Sequence, residues 1–146
     1  MSETRAALSS NELKVADIMS EATDPACGAV AAFIGTVRET ASVDKHRDAS
    51  VVALEYDAHP SLAEEKMEEI VRAAAEKWGL ERVVAVHRTG RCELGEPTVV
   101  VACGAGHRAE ALEACHWIID EIKATVPIWK KEIYSDGSSW VGDESS

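Results

Sequence analysis

The chain has 146 residues, 46% of them hydrophobic and 28% charged, with a formal net charge of −11. This length fits one domain around a single core, and the acid excess speaks against a nucleic-acid binder. No apolar run approaches the roughly 18 residues needed to span a bilayer, and no secretory leader is visible at the N-terminus, so a cytoplasmic location is expected.

Residues 4–8 read as a short strand, within a terminus (1–10) expected to fray, as are residues 142–146. Residues 11–22 read as a short helix with Leu13, Ala16, Ile18 and Met19 as its apolar positions, broken by Asp24-Pro25. Residues 28–37 (GAVAAFIGTV) are small and apolar without clean alternation, which suits a strand covered on both faces and ending at Arg38. Residues 39–49 are polar and aperiodic, the pattern of a mobile loop. Residues 51–58 form a second strand, with Leu54 and Tyr56 on one face and Glu55 and Asp57 on the other. Pro60 opens a helix in which Met67, Ile70, Val71, Ala74 and Trp78 share one face, and Gly79 caps it.

Residues 82–87 are a third strand, Gly90, Gly95 and Pro97 mark turns, and residues 98–103 (TVVVAC) are a fourth strand, apolar enough to be central. Gly104-Ala-Gly106 switches the chain into a helix over 107–125, whose expected buried stripe is Ala111, Leu112, Cys115, Ile118, Ile119 and Ile122. Pro127 forbids its continuation; residues 128–134 form a fifth strand, Asp136-Gly137 a turn, and residues 139–141 a short return strand. The order describes a single α+β domain with a mainly antiparallel sheet and two principal helices.

Cys27, Cys92, Cys103 and Cys115 show neither CxxC nor zinc-ligand spacing, so they read as buried thiols, and no metal or cofactor is expected. Three groups can carry chemistry. The first is Gly104-Ala-Gly106-His107-Arg108, where a helix N-terminus with two basic side chains suits an anion; its glycines serve equally well as plain turn residues. The second is Lys123 with Lys130. Within 123–131 there are three lysines and no acid, which reads either as a solvated face or as an anion site. Strand alternation places Ile128, Lys130 and Glu132 on one face and Trp129, Lys131 and Ile133 on the other, so Lys130 and Lys131 have different jobs. The third is Arg38, at a pocket mouth or simply on the surface. Trp129 can wall a planar ligand or fill a core or interface, and His116 reads as packed.

At these residues the sequence resembles the catalytic (large) subunit of molybdopterin synthase. The matching segments are 28–38 (GAVAAFIGTVR), 54–58 (LEYDA), 87–90 (HRTG), 106–108 (GHR), 123–132 (KATVPIWKKE) and Trp140-Val141. The resemblance implies an alpha/beta-hammerhead-like fold and a sulfurtransferase of molybdenum cofactor biosynthesis. Sulfur would pass from the C-terminal thiocarboxylate of a small ubiquitin-like carrier, ending in Gly-Gly, to cyclic pyranopterin monophosphate, giving the molybdopterin dithiolene. It further implies a homodimer within a heterotetramer. Lys123 and Lys130 match the catalytic lysines; Thr36, Val37, Arg38, His107, Arg108, Lys131 and Glu132 match substrate-binding positions. The sequence departs from the family at Glu39-Thr40 and the charged segment after it, and at Lys131 where arginine is common. The competing reading is a non-catalytic paralogue that binds a carrier tail or a phosphorylated metabolite.

Overall fold

The computed structural model describes residues 2–40 and 50–143. Of the expected loop, residues 41–49 lie outside the described residues. Two four-stranded sheets make the frame. One has the order β1 (Glu3–Ser9), β4 (Arg82–Arg88), β6 (Pro97–Ala105), β2 (Ala29–Thr36). The other has the order β5 (Gly90–Glu93), β3 (Val51–Ala58), β7 (Ile128–Tyr134), β8 (Ser139–Asp143). Among the described residues every strand pairing is antiparallel except β1 with β4. The expected α+β, mainly antiparallel architecture is therefore present.

The two principal helices are α2 (Pro60–Trp78) and α3 (Arg108–Thr125). They form where the apolar period is 3.6 and the ends are punctuated. The His59 side chain accepts from Leu62 N–H at the start of α2, Pro60 occupies the first turn, and Gly79 at φ 63° closes it in the left-handed conformation. Val126 ends α3 in extended backbone ahead of Pro127. The helices pack on the first sheet, α2 against β1 and α3 against β2 and β6, and against one another. Met67, Ile118 and Ile122 are fully buried in the shared core, each contributing about 1.5–3 kcal/mol by the area removed from water. On the opposite face of that sheet a short helix, α1 (Val15–Ser20), buries Ile18 with Leu13 against Val84, Val86, Val100 and Ala102.

Several expectations are corrected. Residues 3–9 do not fray; they pair in parallel with β4 from Glu3↔Arg82 to Ser9↔Arg88. The first helix is six residues rather than twelve, because Ser9 Oγ accepts from Asn11 N–H and holds the preceding residues in a turn. Gly90, read only as a turn, opens β5. Strand β2 lies at a sheet edge and is not covered on both faces, with Val30 and Ile34 exposed. Leu112 is exposed rather than part of the α3 stripe, and Ala114 takes its place in the core. A Cβ on Gly104 would run into the Ala22 carbonyl oxygen, so Gly104 is a packing glycine inside β6 rather than part of an open anion loop.

The second sheet is joined to the helical layer at one end. Strand β3 runs into α2 through His59, α3 runs into β7 through Pro127, and His59 N–H donates to the Pro127 carbonyl at 3.4 Å. This end carries the lysine-rich run.

Candidate active site

Helix α3 sets the geometry. Cys115, Ile119 and Lys123 fall at intervals of four and share one face. They line a cavity of about 440 Å³ whose other wall is Ala31, Ala32 and Phe33 of β2. Lys123 is half-buried in the last turn, where its charge complements the helix dipole. His116 and Asp120 stand on the rim and pair at 3.3 Å. His116 is thus exposed rather than packed, since its position in α3 faces away from the sheet.

Lys130 lies on a different cavity, of about 670 Å³, bounded by Tyr56, Asp57, Arg91, Trp129 and Lys131 among others. Register puts Lys130 opposite Tyr56, whose ring meets buried His87 edge-on with centroids 4.9 Å apart. Alternation along β7 holds as expected. Ile128, Glu132 and Tyr134 are buried, Lys130 is half-buried, and Trp129 is 46% exposed, so Trp129 is not a core residue. Lys131 is half-buried too and stands 3.9 Å from Glu55 on the same cavity, a solvent-accessible pair of little energetic weight. Glu132 is 3% exposed and accepts from the Tyr134 hydroxyl at 2.8 Å. Burial and that carboxylate together push the Tyr134 phenol upward. Arg91 is a further cation on this cavity, and its signal in the sequence is no more than the alternation Arg91–Glu93 on one face of the short strand β5.

His107 and Arg108 open α3. His107 is the N-cap in extended backbone without a side-chain cap bond, and both residues are exposed. Glu110 shares that first turn, placing an acid in the expected anion seat. Sixteen residues separate His107 from Lys123, about 24 Å along a helix rising about 1.5 Å per residue. Within one chain these two side chains therefore cannot touch the same small molecule. Thr36 is exposed at the end of β2, after a register shift between Gly35 and Thr36. Val37 is buried, with its N–H donating to the Glu96 carbonyl at 3.2 Å and its own carbonyl accepting from Gly95. Arg38 follows on the surface.

The His87-Arg88-Thr89-Gly90 corner is structural. Arg88 is 6% exposed and its guanidinium makes four hydrogen bonds. Nε donates to Glu96 Oε2 at 2.8 Å, Nη1 to the carbonyls of Ser10 (3.0 Å) and Thr89, and Nη2 to that of Arg91 (2.6 Å). It ties the ends of β1, β4 and β5 to the turn before β6. Among the described residues no group of three or more His, Cys, Asp or Glu side chains gathers to hold a metal ion, and no helix is long and apolar enough to cross a membrane.

The fold and these cavities define a class: a two-sheet α+β domain that presents lysines on partly apolar cavity walls. Comparison with known proteins narrows it. The profile of the MoaE protein family matches residues 8–125. The molybdopterin synthase catalytic subunit of Halalkalibacterium halodurans is 38% identical over 144 residues, covering 99% of this chain and 89% of that protein. The human protein of the same name is 36% identical over 133 residues, covering 91% of this chain and 68% of the relative. Among solved structures, molybdopterin synthase from Staphylococcus aureus superposes with a TM-score of 0.82 at 31% identity, over 94% of this chain and 95% of that one. This chain belongs to the MoaE family.

Proposed function

We propose that the chain is the catalytic subunit of a molybdopterin synthase, a cytoplasmic sulfurtransferase acting as a single domain. It takes sulfur from the C-terminal thiocarboxylate of a small ubiquitin-like carrier and delivers it to cyclic pyranopterin monophosphate, forming the dithiolene. The observation that carries this reading is Lys123, half-buried on the wall of a largely apolar cavity in a chain whose catalytic-subunit relatives span nearly its whole length.

The chemistry asks for what this placement offers. Both the thiocarboxylate and the substrate phosphate are anions, and acyl transfer develops negative charge on oxygen. An ammonium on a cavity wall of low polarity stabilises that charge more strongly than one in water. Lys123 serves the thiocarboxylate carbon. Lys130 serves as charge stabiliser or proton donor at the pterin side chain, with Glu132 buried beneath it and Lys131 at the rim. Arg38, with Thr36 and the Val37 backbone, contributes to substrate binding at the exit of β2. The presence of both Lys123 and Lys130 in the chain speaks against the paralogue reading, carrier binding without turnover.

The separation of about 24 Å along α3 bears on assembly. His107 and Arg108 complete a substrate site with Lys123 only if they come from a second copy, in the homodimer at the centre of a heterotetramer. Mixing provides the test. A His107→Ala/Arg108→Ala chain and a Lys123→Ala chain, each inactive alone, are expected to regain about a quarter of wild-type activity after subunit exchange, since about half of the dimers are then mixed and hold one intact site of two. Activity is read with thiocarboxylated carrier and the pterin precursor. A mixture as inactive as its components overturns the shared site.

A further inference from the structure

Strand β7 carries one buried acid, and a tyrosine two residues further on holds it. Ile128, Lys130, Glu132 and Tyr134 share one face of the strand. Register brings Tyr56 and Leu54 of β3 to that face on one side, opposite Lys130 and Glu132, and Gly142 and Trp140 of β8 on the other. Cys92 of β5 stands next to Leu54, and His87 of β4 meets the Tyr56 ring edge-on. Among these described residues Glu132 is the one acid on the face that carries Lys130. It is 3% exposed and Tyr134 is 1% exposed, and the Tyr134 hydroxyl donates to Glu132 Oε1 at 2.8 Å. Two residues along a strand span about 7 Å, so Glu132 and Lys130 feel each other's charge where water is largely excluded. We propose that Tyr134 is a positioning residue for the Lys130 side of the site: its hydroxyl holds the Glu132 carboxylate ionised and in one orientation, and Glu132 supplies the negative charge that keeps the neighbouring lysine an ammonium.

Burial alone favours the neutral form of a carboxylic acid, and a hydroxyl donated to one of its oxygens favours the ionised form. Tyr134 is the donor, because burial and the adjacent carboxylate push its phenol upward and it keeps its proton at neutral pH. The tyrosine is itself fixed at its backbone. Its N–H donates to the Ser138 carbonyl at 3.0 Å in the turn before β8, and it pairs in register with Val51, whose N–H donates to the Glu39 carbonyl at 2.8 Å, just beyond Arg38. The β7 acid is thereby tied to the exit of β2. An ionised Glu132 favours the protonated form of Lys130, which is the form that stabilises a developing oxyanion or gives a proton to it. For its effect on turnover the inference rests on the sulfur-transfer reading above; the hold of Tyr134 on Glu132 does not.

The test is the pH dependence of turnover in Tyr134→Phe, which removes the hydroxyl and keeps the ring. With thiocarboxylated carrier and the pterin precursor, the acid limb of the kcat/KM profile is expected to move to higher pH by about one to two units, because the lost hydrogen bond had favoured the ionised carboxyl. The neutral plateau is expected to change much less than the limb. Glu132→Gln is expected to remove that limb, and Tyr134→Phe/Glu132→Gln to behave as Glu132→Gln alone, since the tyrosine acts through the carboxylate. A second readout needs no turnover. The Glu132 carboxyl, followed by NMR of the intact chain with labelled glutamate and assigned by its absence in Glu132→Gln, is expected to titrate at higher pH in Tyr134→Phe than in wild type. An acid limb that stays in place in Tyr134→Phe overturns the proposal, whether or not the variant is less stable to heat, as does an unmoved carboxyl titration. A wild-type chain that forms no dithiolene counts instead against sulfur transfer, and the carboxyl titration then decides by itself whether Tyr134 holds Glu132.

Discussion

Replacing Lys123 with alanine is expected to lower dithiolene formation by about 10²–10³-fold or more, the cost of removing a preorganised donor from a developing oxyanion. The fold should hardly notice. Lys123 sits at the end of α3, half-buried, and its loss from the last turn removes about 0.3–1 kcal/mol of dipole complement. Carrier binding, measured by calorimetry, and the thermal unfolding curve are therefore expected to stay close to wild type while single-turnover product formation collapses. Lys123→Arg separates two contributions. It keeps a fixed positive charge in the cavity, but a guanidinium is a poor proton donor and its planar fork is wider than an ammonium. Anion binding should survive in that variant and turnover should not. Wild-type turnover by Lys123→Ala sinks the assignment of this residue.

Arg88→Ala is expected to be strongly destabilising, costing about 3–5 kcal/mol, because it strands the Glu96 carboxylate in a nearly buried site. The side chains of the pair are only 7% and 14% exposed. The loss goes beyond the ion pair, since the same guanidinium satisfies the carbonyls of Ser10, Thr89 and Arg91. Arg88→Lys should rescue little, because one ammonium cannot reach four acceptors from the positions of a planar fork. Removing both partners in Arg88→Met/Glu96→Leu should recover part of the loss by eliminating the uncompensated charge. Urea unfolding midpoints measure all three variants. An unchanged midpoint for Arg88→Ala, or a double variant no better than the single, contradicts this account of the corner.

The parts of the molecule legible in the sequence are those whose signal is local. Helix α2 announces itself through Met67, Ile70, Val71 and Ala74 on one face and Gly79 at its end. Strand β3 shows its two faces in Leu54-Glu55-Tyr56-Asp57. The split of Lys130 from Lys131 follows from a period of two, and the register keeps it, one opposite Tyr56 and the other opposite Glu55, although both are half-buried and border the same cavity.

What was not legible depends on partners distant in the chain. Nothing in residues 3–9 says that they pair in parallel with residues 82–88. The apolar run 28–37 does not reveal that β2 lies at an edge, since residue type alone does not distinguish a buried valine from an exposed Val30. Strand β5 is too short to stand out between Gly90 and Gly95, so nothing local marks Arg91 as a cavity cation. The candidate site shows the same division. Its residues could be named from motif and resemblance, but their distribution could not. Lys123 and Lys130 border different cavities, and His107 with Arg108 stands at the far end of α3. That distribution appears only once α3 is laid back across β6 and β2.

The most direct test of the central claim is a reconstitution with the purified chain, a thiocarboxylated ubiquitin-like carrier ending in Gly-Gly, and cyclic pyranopterin monophosphate. Formation of the dithiolene, with two carriers consumed for each product and none formed when the carrier bears an ordinary carboxylate, is the predicted result. Tight carrier binding with no dithiolene under the same conditions would contradict it, and would make the chain a binding paralogue.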